Sequence, residues 1–262
     1  MNMDEIVEFY GKYNEEKRLI SPYGRVEFLV TMHFLKEEIG DRKGLRILDV
    51  GAGTGRYSIP LAAEGHLVKA VDLTPYNVGI LKQKADRQGV TLNAEIGNAL
   101  NLKKEPSDAY DVVLLFGPMY HLFSEAEKVQ ALSEAKRVLK PDGKLFVSYI
   151  MNDFAVVKFG FMENNAETSY YSGKLDDAFH VLNEKKDLFS YDRTEDLDRY
   201  NASCGLKLRS RIAQDGPTHY MRKTVSEMDE PTFLLYLKYV ISVAKRSDMT
   251  GASCHVMDIL VK

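Results

Sequence analysis

The chain is poor in cysteine, whose disulfides and metal sites hold many small folds together. Only two cysteines, Cys204 and Cys254, and no tryptophan occur among its 262 residues. The cysteines are far apart and lack the short spacing of metal ligands, which fits reduced thiols better than a disulfide framework or a zinc motif. We therefore expect reduced thiols that pack in the interior, and no metal site.

The sequence also lacks a block of basic residues and a long apolar run. The formal net charge is −3, so the general attraction that nucleic acid phosphates exert on basic proteins is missing. The longest apolar stretch, 233–244, is interrupted by Lys238 and is too short to span a bilayer. The first ten residues contain three acids and no apolar signal region. These features predict a cytoplasmic globular protein that neither enters membranes nor binds nucleic acid broadly.

Strand-like and helix-like segments alternate regularly through the middle of the chain. Short apolar runs are separated by segments with helical periodicity, as in a sheet whose two faces are covered by helices. One of these helices is expected from about residue 54 to 64, and a capping box at Ser124 and Glu127 opens another. The pair Asp142-Gly143 predicts a turn directly before the fifth strand. This alternation predicts an α/β fold with a doubly wound, mostly parallel sheet, whose strands here lie at 45–50, 67–71, 91–96, 111–116 and 144–150.

Different patterns flank this region. Before residue 44 the apolar positions are helical, with Val26, Leu29, Val30 and His33 expected on one face. After the fifth strand an aromatic and polar segment lacks a clear period, which indicates a substrate-covering lid or, alternatively, disorder. We therefore predict a helical N-terminal cap (1–43), a cofactor-binding core (44–151), an insertion (152–193) and a C-terminal part that completes the sheet (194–262).

A glycine-rich turn follows the first strand and opens the next helix. It reads Asp49-Val50-Gly51-Ala52-Gly53-Thr54-Gly55-Arg56. Such glycines let a nucleotide-like ligand lie against the main chain near a helix N-terminus. A dinucleotide fingerprint would need its third glycine where Arg56 stands, and no Gly-Lys-Ser/Thr follows, so a nicotinamide site and a P-loop are both disfavoured. Asp49 at the strand tip favours a cationic ligand group over a phosphate.

This turn resembles the first motif of the class I S-adenosylmethionine-dependent methyltransferases, acid-x-Gly-x-Gly-x-Gly. The segment 116–122, Phe-Gly-Pro-Met-Tyr-His-Leu, is similar to the Gly-Pro-x-Tyr-His-Leu loop after strand 4 in a group of small bacterial members, and 24–28 and 251–253 resemble that group as well. The resemblance implies a seven-stranded Rossmann-like sheet and S-adenosylmethionine as methyl donor, with S-adenosylhomocysteine as product. It also implies that Asp72 binds the ribose hydroxyls and that Asn98, where the family usually has Asp, binds the adenine amino group. The cofactor residues so implied are Asp49, Gly51, Ala52, Gly53, Gly55, Asp72, Leu73, Asn98, Ala99, Phe116 and Gly117, with Tyr23 and Arg25 as candidates for its carboxylate.

The methyl acceptor is less well defined. His121 is a candidate general base, although local packing is the alternative, and methyl transfer can proceed by alignment alone. Tyr120, His121, Tyr149, His219 and Tyr220 are candidate substrate contacts, each with an alternative as a core or surface side chain. A surface salt bridge is the alternative for Arg25. We expect a small-molecule acceptor; a protein or RNA methyltransferase and a non-catalytic cofactor-binding regulator are the other interpretations.

Overall fold

The computed structural model describes residues 21–184 and 186–262, so the part of the predicted cap at 1–20 lies outside the described residues. The strands are β1 (Arg46–Val50), β2 (Leu67–Asp72), β3 (Asn93–Ile96), β4 (Tyr110–Leu115), β5 (Leu139–Ile150), β6 (Lys207–Ala213) and β7 (His255–Val261). They form one sheet in the order β3-β2-β1-β4-β5-β7-β6. The first five strands are parallel, and β7 runs antiparallel to both β5 and β6. The seven-stranded, mostly parallel sheet is therefore confirmed.

Helices cover both faces of this sheet. In chain order they are α1 (Pro22–Ile39), α2 (Ser58–Ala63), α3 (Pro75–Arg87), α4 (Glu125–Val138), α5 (Asn152–Ala155), α6 (Ala166–Tyr171), α7 (Thr194–Ser203), α8 (Arg222–Ser226), α9 (Glu230–Val243) and α10 (Ser247–Thr250). A single 3-10 turn occupies Pro118–His121, and a π-helical turn occupies Val156–Phe161. None of these helices is both long and apolar enough to cross a bilayer.

Alternate residues of the central strands supply two large cores, and a third, smaller cluster packs β2 and β3 against α3. Leu48 and Val50 point to the face covered by α4 and α7, whereas Ile47 points to the face covered by α1 and α9. Because every central strand is buried on both faces, these strands read as continuous apolar runs in the sequence. The sheet is therefore a rigid platform for the loops at its carboxyl edge.

Three local expectations were wrong. The helix expected from residue 54 begins at Ser58, because Gly51, Gly53 and Gly55 adopt positive φ angles that interrupt a helix. Strand β5 begins at Leu139 rather than at residue 144. Its pairing with β4 jumps from Tyr110↔Leu139 to Val112↔Lys144, so the expected Asp-Gly turn forms a bulge within the strand.

The third error concerns α1. Its buried stripe includes Val26, Val30 and Phe34, whereas His33 is exposed and faces Glu37. Residues suited to capping stand at both ends of this helix. Ser21 accepts a hydrogen bond from the Gly24 amide at 3.2 Å, and Gly40 ends the helix at φ 63°.

Candidate active site

The strand order creates a crevice between β1 and β4. From β1 the chain continues to β2 and β3 on one side, and from β4 it continues to β5 on the other, so the loops after β1 and β4 diverge. In open α/β sheets ligands bind at this position, beyond the carboxyl ends of the strands. Of the predicted cofactor residues, Gly51, Ala52, Gly53 and Gly55 lie on the loop after β1, and Phe116 and Gly117 lie on the loop after β4.

The two loops touch through glycine backbones. Gly51 adopts φ 78°, and a Cβ there would lie 2.5 Å from Cδ of Pro118. A Cβ on Gly117 would lie 3.2 Å from the Gly51 carbonyl oxygen. A side chain at Gly51 would push the loops apart, whereas one at Gly117 would need its neighbour to shift by a few tenths of an ångström. The close approach of the two strand ends therefore requires glycine at position 51.

The other two glycines have different surroundings. A Cβ on Gly55 (φ 88°) would lie 2.9 Å from Leu81 Cγ, so this glycine allows α2 and α3 to pack. A Cβ on Gly53 (φ 53°) would meet nothing within 4 Å among the described residues. The backbone of Gly53 therefore faces open space, as required of a glycine on which a ligand rests.

Asp72, at the end of β2, is held in a fixed orientation. Its Oδ1 accepts hydrogen bonds from the Thr74 amide (2.9 Å), the Thr74 hydroxyl (2.7 Å) and Asn77 Nδ2 (3.2 Å). Among the described residues, its Oδ2 accepts one bond, from the Gly53 amide at 2.8 Å. The carboxylate thus joins the end of β2 to the glycine turn, and Oδ2 retains capacity for a second donor.

Asp49 is completely enclosed beneath the glycine turn. Its Oδ2 accepts a 2.6 Å hydrogen bond from the Ser58 hydroxyl at the start of α2. Burial, reinforced by the nearby charge of Asp72, raises the pKa of Asp49 to about 7. A cationic group placed at this turn would favour the ionised form of Asp49.

The remaining predicted cofactor residues lie at neighbouring strand ends. The Gly97 amide donates to the Asp72 carbonyl at 3.0 Å, which brings the end of β3 beside the end of β2. Asn98 Oδ1 caps the turn by accepting from the Leu100 amide at 2.9 Å. Ala52, Ala99 and Phe116 are buried, and Leu73 is half-buried.

Two residues of α1 make other contacts. Arg25 forms an ion pair with Glu230 at 3.2 Å and lies over the Phe233 ring, so the structure shows the salt bridge considered as the alternative. Tyr23 packs edge-on against His219, with ring centroids 5.8 Å apart. Their cofactor roles stay predictions.

The loop after β4 supplies an aromatic group. Tyr120 and His121 both pack against Phe189 of the insertion. His121 Nδ1 lies 3.0 Å from the Leu188 carbonyl oxygen, which can only accept, so the neutral ring carries its proton on Nδ1 and its lone pair on Nε2. Burial lowers the pKa of His121 to about 4, so the ring is neutral at physiological pH.

The other predicted substrate contacts separate into two environments. His219 is buried and Tyr220 half-buried; Phe154 packs against both rings, and the Tyr220 hydroxyl donates to the Ala252 carbonyl at 2.7 Å. Tyr149 is completely buried in the core, where the charges of Asp258 and Asp192 add to burial in raising its pKa. A ligand at the crevice would therefore meet Tyr120 and His121 before it met Tyr149.

Sequence reasoning missed a polar group at the same edge of the sheet. Asp215 follows β6, His255 begins β7, and Glu27 comes from α1; all three are buried. His255 Nδ1 lies 2.7 Å from Asp215 Oδ2 and 3.6 Å from Glu27 Oε2. The antiparallel direction of β7 places its first residue beside Ile150, at the end of β5. The grouping could have been found from the sequence only if the antiparallel direction of β7 had been known.

Comparisons with known proteins agree with this architecture. A family model described as a methyltransferase domain matches residues 47–143. A protein of Geobacillus sp. (strain WCH70) that carries a methyltransferase name is 32% identical over 174 residues, covering 65% of this chain and 67% of the relative. The ubiquinone biosynthesis O-methyltransferase of Azorhizobium caulinodans is 36% identical over 127 residues, covering 48% of this chain and 49% of that protein.

Solved structures share the fold at low sequence identity. An S-adenosylmethionine-dependent methyltransferase of Leishmania major superposes with a TM-score of 0.61 at 13% identity, covering 98% of this chain and 82% of that one. The [4+2]-cyclase SpnF superposes with a TM-score of 0.54 at 17% identity, covering 90% and 80%.

The sheet order and the crevice define a Rossmann-like α/β protein with a ligand site at the β1/β4 switch point. Taken with the relatives, they show that this chain belongs to the class I S-adenosylmethionine-dependent methyltransferases.

Proposed function

We propose that this protein transfers a methyl group from S-adenosylmethionine to a small-molecule acceptor. The observation that carries the proposal is the crevice between β1 and β4, where Gly53 faces open space beside the fixed carboxylate of Asp72. A Cβ at Gly53 would project into the space that a ligand on this turn needs. The site therefore fits an extended adenosyl ligand that lies along the backbone.

Each end of this ligand has a matching group. The Asp72 carboxylate, oriented by Thr74 and Asn77, offers an acceptor to the ribose hydroxyls. Asn98 follows β3, on the side expected for the adenine ring. When bound, S-adenosylmethionine supplies an electrophilic methyl group on a cationic sulfur. Burial makes the Asp49 carboxylate costly as an isolated anion. A positive charge bound near the turn would offset that cost and would itself be stabilised by the ionised Asp49.

The acceptor would bind beside the aromatic group of Tyr120, His121 and Phe189. These side chains belong to the β4 loop and to the insertion, so the two segments together would exclude water and align the nucleophile. The relatives include enzymes named for ubiquinone biosynthesis and for glycine, sarcosine and dimethylglycine, all small molecules. The net charge of −3 also favours a small acceptor over nucleic acid.

His121 suits a positioning role better than that of a strong base. It is neutral at physiological pH, but a pKa of about 4 makes it a weak proton acceptor. We expect His121→Gln to lower kcat by less than about tenfold, because glutamine can replace its hydrogen bonds. A loss of about 100-fold or more would instead identify His121 as the general base, if kcat of the wild-type protein also rises with pH as a single group loses its proton.

The test is formation of S-adenosylhomocysteine from S-adenosylmethionine with purified protein. Separate reactions would contain small phenols, carboxylic acids and amines, an unfolded protein mixture, or total RNA. Gly53→Ala should abolish turnover, whereas Asp111→Asn, at the opposite edge of the sheet, should not. Turnover with small acceptors alone supports the proposal. Turnover only with protein or RNA contradicts the acceptor class, and cofactor binding without turnover on any acceptor would favour a regulatory protein.

A further inference from the structure

A second constellation of polar side chains lies at the carboxyl edge of the sheet, under β6 and β7. Asp215 and His219 follow β6 and are four residues apart, and Cys254 and His255 stand at the entry to β7. All four are buried, with side-chain atoms of the kinds that bind transition metals. We call these four residues the Asp215 cluster.

The spacing of the cluster suits one metal ion. One oxygen, one sulfur and two ring-nitrogen atoms lie within 4.8 Å of one another. Ligand atoms around a tetrahedral zinc ion, at about 2.0 to 2.3 Å from the metal, are separated by about 3.3 to 3.7 Å. Side-chain shifts below about 1 Å would bring the four atoms to that geometry.

Asp215 is fixed so that one oxygen faces the two histidines. Its Oδ1 accepts from the Ser253 hydroxyl (2.6 Å), the Cys254 amide (2.9 Å) and the His255 amide (3.2 Å). Its Oδ2 lies 2.7 Å from His255 Nδ1 and 3.4 Å from His219 Nε2. Outer hydrogen bonds of this kind orient the carboxylate ligands of metal sites.

His219 has a buried ring nitrogen that faces the cluster. Its side chain is 2% exposed, and its Nε2 makes no hydrogen bond within the described part of the chain although it points toward Asp215. Buried polar atoms in proteins nearly always have a partner, and a cation bound beside Asp215 would supply one for Nε2. The rings of Tyr23 and Phe154 pack against His219 and keep this side of the cluster dry.

Arg222 contacts the other nitrogen of the His219 ring. Its guanidinium lies 2.7 Å from His219 Nδ1 and can only donate, so Nδ1 accepts in this arrangement. A metal on Nε2 would require the proton on Nδ1, and Arg222 would then have to turn away. Arg222 should therefore compete with the metal.

The local charge balance favours a cation. Asp215 is joined by Glu27, whose Oε2 lies 3.6 Å from His255 Nδ1. A divalent ion would take the place of the proton between Asp215 and His255, and its charge would be balanced by the Asp215 carboxylate and the Cys254 thiolate.

We propose that Asp215, His219, Cys254 and His255 bind one zinc-like transition-metal ion. The mixed nitrogen, sulfur and oxygen ligands suit zinc rather than magnesium or calcium, which prefer oxygen alone. Sequence spacing did not indicate the site because its two halves lie on separate strands that meet only in the folded sheet. The proposal does not depend on methyl transfer.

The test is metal binding by the full-length protein. Metal-stripped protein is titrated with Zn²⁺, and separately with Co²⁺, whose thiolate charge-transfer and tetrahedral d–d absorption report the ligands directly. One ion per chain and a thiolate band are expected. Absence of stoichiometric binding, or a cobalt spectrum without the thiolate band, would overturn the proposal.

Matched variants make the test specific. Cys254→Ser should remove the thiolate band and weaken zinc binding at least about 100-fold, since outer-sphere changes alone cost about 10- to 100-fold. Cys204→Ser, at the other cysteine, should retain both properties. Arg222→Gln offers a carbonyl to His219 Nδ1 and should tighten zinc binding by about tenfold. Equal behaviour of the two cysteine variants, or no gain from Arg222→Gln, would contradict the four-ligand site; circular dichroism of each variant confirms that it is folded.

Discussion

Replacing Gly51 by alanine should separate the two loops that form the crevice. The residue sits at φ 78°, which costs a residue with a side chain about 1 to 2 kcal/mol. The new Cβ would also lie 2.5 Å from Cδ and 2.9 Å from Cγ of Pro118, whose ring cannot rotate away. Overpacking of this kind adds about 1 to 3 kcal/mol. We therefore expect Gly51→Ala to lower the free energy of unfolding by about 2 to 5 kcal/mol.

Gly65→Ala is the matched control. Gly65 has φ 92°, but a Cβ there would meet nothing within 4 Å, so only the backbone cost of about 1 to 2 kcal/mol should remain. Urea unfolding of both variants, compared by midpoint at unchanged slope, measures the difference. If Gly51→Ala and Gly65→Ala lost the same stability, the contact between the Gly51 turn and Pro118 would not hold the loops together as described.

Three further predictions concern buried charges. Asp72→Asn should weaken S-adenosylmethionine binding by about 1 to 3 kcal/mol because it removes a charge-assisted acceptor, whereas Asp111→Asn should leave the affinity unchanged. Equal calorimetric affinities of the two variants would exclude the ribose role of Asp72. Because burial raises the pKa of Asp49 to about 7, folding favours its protonated form. That stabilisation is complete below about pH 4 and is lost as the pH rises through 7. Relative to Asp49→Asn, wild-type stability should therefore fall by at most about 3 kcal/mol between about pH 5 and pH 8, and urea midpoints of the two proteins that ran parallel over this range would refute the expectation. Lys128→Met should cost about 3 to 5 kcal/mol because it leaves Asp192 buried without its cation, and adding Asp192→Leu should restore most of the loss in the same assay.

The sequence was most informative where the chemistry is local. The five parallel strands, the capping box at Ser124 and the glycine turn each depend on residues adjacent in the chain, and each was found. The boundaries failed where tertiary contacts decide them. The bulge after Leu139 depends on pairing with β4, and the late start of α2 depends on the positive φ angles of the glycine turn.

Residues that meet only through the sheet could not be predicted in this way. The pairing of Asp215 with His255 requires β7 to run antiparallel between β5 and β6. Likewise, helices α5 and α6 of the insertion are too short to show a period in the sequence, and tertiary contacts hold the rest of the insertion. Lys128 of α4 bonds Ser190 at 3.0 Å and pairs with Asp192, which fastens its end to the core. Neither contact leaves a pattern in the chain.

The most direct test of the account is calorimetric titration of the purified protein with S-adenosylmethionine, S-adenosylhomocysteine and NAD. The geometry of the crevice predicts that the first two bind with micromolar affinity, one molecule per chain, and that NAD does not bind. Binding of NAD, or of none of the three, would contradict the assignment of the β1/β4 crevice to S-adenosylmethionine.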